Sequence, residues 1–248
     1  MIKCMQSRSH RDVALQTGTS SVARTAAPNV DFVKAEMIEV ARYLASRQYH
    51  AALAGNLSAR VGQDLLICTR HGAEKSSLTT DDLVVCDLRG GKVNGAGSPT
   101  SELNMHRIAY RLRPDVGAVI HAHPPTATGF AAASVPLDQL SLPEMVVLLG
   151  PVALVPYATP GSEELAERLG LFLPDHDGFL LENHGALAVG ATLRQAALRM
   201  ELIEQNARIT LVVRDIGKPF ALPPGELDRL LAIRKQMNGG QEPYWKAT

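Results

Sequence analysis

The apolar run Ala118-Val119-Ile120 passes directly into His121-Ala122-His123 and is stopped by Pro124. It reads as a short buried strand. On a strand, residues i and i+2 point to one face, so the His121 and His123 imidazoles stand side by side and can grip one divalent ion. Other short apolar runs, Leu65-Leu66-Ile67, Leu83-Val84-Val85, 152–155 and Phe179-Leu180-Leu181, also read as strands, and Leu88-Arg89-Gly90-Gly91-Lys92 reads as a hairpin turn. Helical patterns separate them. The first is capped by Asp31, with Phe32, Ala35, Ile38, Ala41 and Leu44 on one face. Others run from Ser101 to about 112, where Pro114 stops the helix, over 126–133, over 162–173 behind Ser162, Glu163 and Glu164, over 192–213, and from Gly225. Neither GxGxxG nor GxxxxGK[ST] occurs, so the two common nucleotide-binding signatures are absent. The alternation predicts a three-layer α/β or α+β domain with a mixed sheet.

Lys and Arg total 25 and Asp and Glu 25, a net charge of zero that gives no reason to expect a nucleic-acid or membrane partner. No apolar run approaches the ~18 residues of a membrane span. Three cysteines, Cys4, Cys68 and Cys86, lack CxxC spacing and predict neither a disulfide framework nor a cysteine zinc site. The expected setting is cytoplasmic. Residues 1–30 hold four Lys or Arg but one acid, and read as a disordered arm without the apolar core of a secretory signal. The expected division is an arm at 1–30, one domain at 31–236 and a tail at 237–248.

His184 also follows an apolar strand, between Asn183 and Gly185. Three neutral histidines would leave a zinc ion with an open position, as catalytic sites do. Glu102 falls in the first turn of its expected helix, where the dipole favours an ionised carboxylate available as a base or a metal ligand. Free N–H groups at that helix start could hold an anion, with Gly55-Asn56 and Gly72 completing the cradle. His106, one helical turn beyond Glu102, reads as a packing or surface histidine. His71, in a glycine-flanked loop, is a candidate for meeting a substrate anion, whereas His10, His50 and His176 are assigned no chemistry. Arg194, Arg199 and Arg208 on the long helix suggest salt bridges or subunit contacts. Leu193, Ala197, Met200 and Leu211 suggest core or interface packing.

Five segments occur in order: Gly55-Asn56-Leu57-Ser58-Ala59-Arg60, Pro99-Thr100-Ser101-Glu102, His121-Ala122-His123-Pro124, Pro156-Tyr157-Ala158-Thr159-Pro160-Gly161-Ser162 and Glu182-Asn183-His184-Gly185. On these motifs the chain from 32 to 213 resembles the class II aldolase/adducin family. The resemblance implies a three-layer α/β/α sandwich with a mixed, mostly antiparallel central sheet, and a homo-oligomer, commonly a tetramer. It also implies His121, His123 and His184 as ligands to Zn²⁺, with Mn²⁺ or Co²⁺ as alternatives, and Glu102 as the acid/base residue. Gly55, Asn56, Thr69, Gly72, Thr100 and Ser101 would hold a substrate phosphate. The implied activity is a lyase that makes or breaks a carbon–carbon bond in a sugar-phosphate-like ketose through an enediolate.

Two departures bear on the reaction. The family's second phosphate segment usually reads Thr-Pro-Ser-Gly or Thr-Pro-Thr-Gly, but here it is Thr69-Arg70-His71-Gly72, in which Arg70 and His71 could bind the phosphate differently or grip a carboxylate. The tyrosine that serves the family's fuculose-phosphate aldolases as a proton donor would fall near Leu142, where the nearest ionisable residue is Glu144. Tyr244 is a weak substitute, and Tyr157 belongs to another motif. The alternative reading is a metal-dependent decarboxylase of a 3-oxo or hydroxyaromatic acid. A 4-epimerase, a dehydratase and an adducin-head-like scaffold stand further off, the last because the scaffold lacks the metal ligands present here.

Overall fold

The computed structural model describes residues 29–137 and 142–237. Cys4, His10, Tyr244 and, apart from residues 29, 30 and 237, the expected arm and tail lie outside the described residues. Eight strands form a sheet: β1 (Asn56–Arg60), β2 (Leu65–Thr69), β3 (Leu83–Asp87), β4 (Lys92–Asn94), β5 (Ala118–Ala122), β6 (Val152–Val155), β7 (Gly178–Leu181) and β8 (Gly185–Gly190). Their order is β4-β3-β2-β1-β5-β8-β7-β6, and only the β6–β7 pair is parallel. The helices are α1 (Val30–Ser46), α2 (Leu103–Leu112), α3 (Pro125–Ala132), α4 (Glu163–Phe172), α5 (Leu193–Ile216) and α6 (Glu226–Met237).

Helices α1, α3 and α5 cover one face of the sheet around Met37, Leu44, Ile120, Ala131 and Met200. On the other face α2 and α4 pack around Met105, Val119, Leu165, Leu169 and Phe179. This is the expected three-layer sandwich. Strand β5 lies near the middle and is buried throughout, so its side chains alternate between the two cores. Ala118, Ile120 and Ala122 enter the first core and Val119 the second. His121 shares the parity of Val119 and so faces the α2 layer. Among the described residues no helix is long and apolar enough to cross a membrane.

Three local features differ from the sequence expectations. Helix α1 is capped by Asn29, whose side chain accepts from the Asp31 N–H, and not by Asp31. Its buried stripe is Val33, Met37, Ala41 and Leu44, with Phe32 69% exposed; Ala41 and Leu44 fit either face, and packing on α5 and β1 chooses. Strands β1 and β8 were not separate expectations. The first alternates polar Asn56 and Ser58 with apolar Leu57 and Ala59, and the second is a small-residue run bounded by glycines. Helix α3 begins with Pro125 and lacks a side-chain cap of its own. Buried Glu204 of α5 accepts from the Thr126 and Ala127 N–H groups instead.

Buried Asp177, just before β7, is met by three arginines. Arg113 donates to Oδ1 at 3.0 Å, while Arg199 and Arg234 reach Oδ2 at 2.8 and 2.9 Å. Arg113 follows α2, Arg199 lies on α5 and Arg234 on α6, so one carboxylate joins both helical layers at one end of the sheet. Arg199 and Arg208, which pairs with Glu204 at 2.7 Å, thus make the salt bridges expected of them. Leu193, Ala197 and Met200 are buried in the core, and Leu211 is 56% exposed on the outer side of the helix. Removing one member of a buried ion cluster leaves the others uncompensated. Asp177→Asn should therefore lower unfolding stability by about 3–5 kcal/mol in urea titrations; a loss below about 1 kcal/mol would contradict this account of the cluster.

Candidate metal and substrate site

The ends of β5 and β7 lie two strands apart, and each delivers histidine. His121 is the fourth residue of β5, His123 follows the strand, and His184 sits in the turn between β7 and β8. Asn183 takes φ 54°, a left-handed conformation that asparagine tolerates, and so turns the chain tightly before His184. Gly185 follows because a Cβ there would meet the His123 ring at 2.6 Å and the Ala122 carbonyl oxygen at 2.8 Å. One potential ligand nitrogen from each of the three histidines lies within 4.8 Å of the others, and this is the one such cluster found among the described residues.

His121 is fully buried, and its Nδ1–H donates to the Ala186 carbonyl oxygen at 2.9 Å. Its Nε2 therefore turns a lone pair towards the cleft, 3.0 Å from the His123 Nε2. Burial pushes His121 well below its ordinary value and His123 to about 4, so both are neutral at pH 7.

Glu102 reaches the same point. Its Oε2 lies 3.4 Å from the His121 Nε2 and its Oε1 lies 3.2 Å from the His184 Nε2. The expected first-turn position is not what forms: α2 begins at Leu103, leaving Glu102 as the N-cap residue, with its carboxylate turned away from its own helix. Asn56 Nδ2 donates to Glu102 Oε2 at 2.8 Å. Burial alone would raise the Glu102 carboxyl, but the His184 ring and the Asn56 amide, as hydrogen-bond partners, hold it below the usual carboxylate range. His106 is fully buried rather than at the surface, with its Nε2 2.5 Å from Asn56 Oδ1.

A cavity of about 300 Å³ opens beside this cluster. Its wall includes Gly55, Asn56, Arg70, His71, Gly72, Thr100, Ser101, Glu102, His123 and His184. Of the expected site residues, His121 sits behind the wall. Thr69 is also absent from it; this residue is buried, and its Oγ1 accepts from the Leu57 N–H, tying β2 to β1. Gly55 has φ 76° and admits no side chain, since a Cβ would strike the His50 ring and the His121 carbonyl oxygen. Arg70 donates its Nε to Asp82 at 2.7 Å. Tyr157, Glu144 and Leu142 are not among the wall residues.

The wall also contains Lys75, which the sequence reading did not single out. Lys75 is buried, and its Nζ donates to the Leu53 and Ala73 carbonyl oxygens at 2.6 and 2.7 Å. Burial draws it down to about 8. Its place three residues beyond Gly72 was the available signal.

Residues 35–211 match the class II aldolase and adducin N-terminal domain. An L-fuculose phosphate aldolase of Methanococcus maripaludis is 33% identical over 181 residues, 73% of this chain and 97% of that protein. A 3-oxo-tetronate 4-phosphate decarboxylase of Pectobacterium atrosepticum is 31% identical over 73% of this chain and 85% of its own length. Among solved structures, an L-fuculose 1-phosphate aldolase superimposes with a TM-score of 0.77 at 32% identity, covering 86% of this chain and 98% of that one.

Burial holds His50 down to about 3 and His106 and His123 down to about 4, against 6.5 for an unperturbed histidine. Between pH 6.5 and about 4 the unfolded chain therefore binds more protons than the folded one, and stability falls as pH falls through that window. The share from His106 alone is roughly 3 kcal/mol. Melting temperatures of metal-free protein should drop steadily from pH 7 to pH 4.5. A flat profile would contradict neutral burial of these rings.

Proposed function

Because the chain belongs to the class II aldolase and adducin family, we propose that it is a zinc-dependent lyase that makes or breaks a carbon–carbon bond in a sugar-phosphate-like ketose. One observation carries the metal reading. The His121 Nε2, with only its lone pair to offer, faces the Glu102 Oε2 at 3.4 Å in a buried site. Acceptors facing acceptors in a buried site call for a cation. Three imidazoles from His121, His123 and His184 suit zinc, with manganese or cobalt as substitutes. When bound, the ion supplies Lewis-acid stabilisation of charge developing on a ketone oxygen.

The chain's own groups do the rest. Glu102, held as an acceptor by Asn56, takes or returns the proton at the carbon beside the ketone. Thr100, Ser101, Gly55 and Gly72 line the wall for the anionic end of the substrate, and Lys75 adds positive charge there. Arg70, its Nε held by Asp82, stands on the same wall. The reading extends to a cytoplasmic homotetramer. Val212, Ile216 and Phe220, 56%, 78% and 88% exposed, are apolar surface that such an assembly could cover.

Metal-loaded protein in D₂O should remove the C3 proton signal of dihydroxyacetone phosphate, followed by proton NMR, and chelation should stop the exchange. Absence of exchange with zinc bound would turn the reading to the decarboxylase, for which His71 on the wall would be the anion contact. Alanine at His121, His123 or His184 should abolish zinc binding while the fold persists; normal zinc content in all three would overturn the site. Glu102→Gln should retain zinc and slow exchange about 10²–10⁴-fold; near-wild-type exchange would remove Glu102 from the acid/base role.

A further inference from the structure

Glu102 at the N-cap of α2 and His106 and Tyr110 within it follow one another at four-residue intervals, opposite Asn56 and Ser58 on β1. Four helical residues advance about 6 Å and two strand residues about 6.6 Å, so the two rows keep step. The contacts interleave. Asn56 Nδ2 meets Glu102 at 2.8 Å and Asn56 Oδ1 meets the His106 Nε2 at 2.5 Å. The His106 Nδ1 meets Ser58 Oγ at 2.7 Å, and Ser58 Oγ meets the Tyr110 hydroxyl at 2.8 Å. All five residues are buried, with Ser58 and His106 fully so.

The direction of each hydrogen bond follows from the groups themselves. A carboxylate only accepts, so Asn56 presents its NH₂ to Glu102 and its carbonyl oxygen to His106. His106 must then carry its proton on Nε2 and accept at Nδ1 from the Ser58 hydroxyl, which in turn accepts from Tyr110. We propose that His106 is a positioning residue: it fixes the amide sense of Asn56 and through it aims Glu102 at the histidine trio. This rests on the reading of Glu102 as the acid/base group. Without a donor at Oδ1, Asn56 could turn its carbonyl towards the carboxylate and push it away. Tyr110 is 2% exposed, so the row ends in the protein interior and holds a proton pattern rather than conducting one.

Nitrogen-15 NMR of the wild-type imidazoles tests the assignment without a substrate. The expected His106 signal is a neutral ring with Nε2 protonated and Nδ1 bare; protonation at Nδ1 would overturn the proposal. Two variants then separate positioning from packing. His106→Gln places an amide nitrogen near the lost Nε2 donor, whereas His106→Asn places its amide near Nδ1 and leaves Asn56 without one. In the dihydroxyacetone phosphate exchange, zinc-loaded His106→Asn should lose about 10–100-fold in kcat with KM nearly unchanged, and His106→Gln should recover most of it. Equal losses that track melting temperature would make His106 a packing residue only. If the wild type itself catalyses no exchange, the aldolase reading fails separately and the tautomer decides this proposal.

Discussion

The hydrogen bond from His121 Nδ1 to the Ala186 carbonyl oxygen fixes what the site can be. It depends on the antiparallel pairing of β5 with β8, in which Ala122 stands opposite Ala186. It also depends on β5 being buried between two helical layers, where no water competes for that carbonyl. With Nδ1 engaged, the only free lone pair on the ring faces Glu102 and the other two histidines. Second partners of this kind commonly set the tautomer of metal-binding histidines. The arrangement therefore comes from sheet register before any ion arrives.

The two ends of the sheet solve opposite electrostatic problems. At the C-terminal ends of β5 and β7, three imidazole rings and a hydrogen-bonded carboxylate gather in an arrangement that could hold a cation. Before the N-terminal end of β7, Asp177 gathers three guanidinium groups, and Asp115 shares the charge of Arg113. One end is closed by ion pairing that ties α2, α5 and α6 to the sheet, which leaves the other free to open a cavity.

Much of this was legible in the chain. His121-Ala122-His123 and Asn183-His184-Gly185 carry local signals, namely strand alternation and the tight turn that asparagine and glycine permit. The strands that end in apolar runs and the helix behind Ser162 were equally plain. What escaped was written in long-range pairs. His106 reads as packing because its partners, Asn56 and Ser58, lie about fifty positions upstream. The role of Arg70 changes once Asp82 is seen beside it, and β8 is too rich in glycine and alanine to announce itself as a strand. Glu102 reads as a first-turn residue from the sequence but stands at the N-cap, and its carboxylate meets the Asn56 amide and not its own helix.

Backbone of different kinds builds the two halves of the site. His121 belongs to a central strand and Glu102 to a helix start, both fixed by the hydrogen bonds of the core, whereas His71 and Gly72 lie in the turn that follows β2, just past the bridge of Arg70 to Pro99. Descendants of this chain could therefore exchange loop residues, and with them substrate preference, while inheriting the histidine cluster intact. Drift in the loop would be tolerated where drift in the strand would be purged, so lineages of one scaffold can part in chemistry without parting in fold.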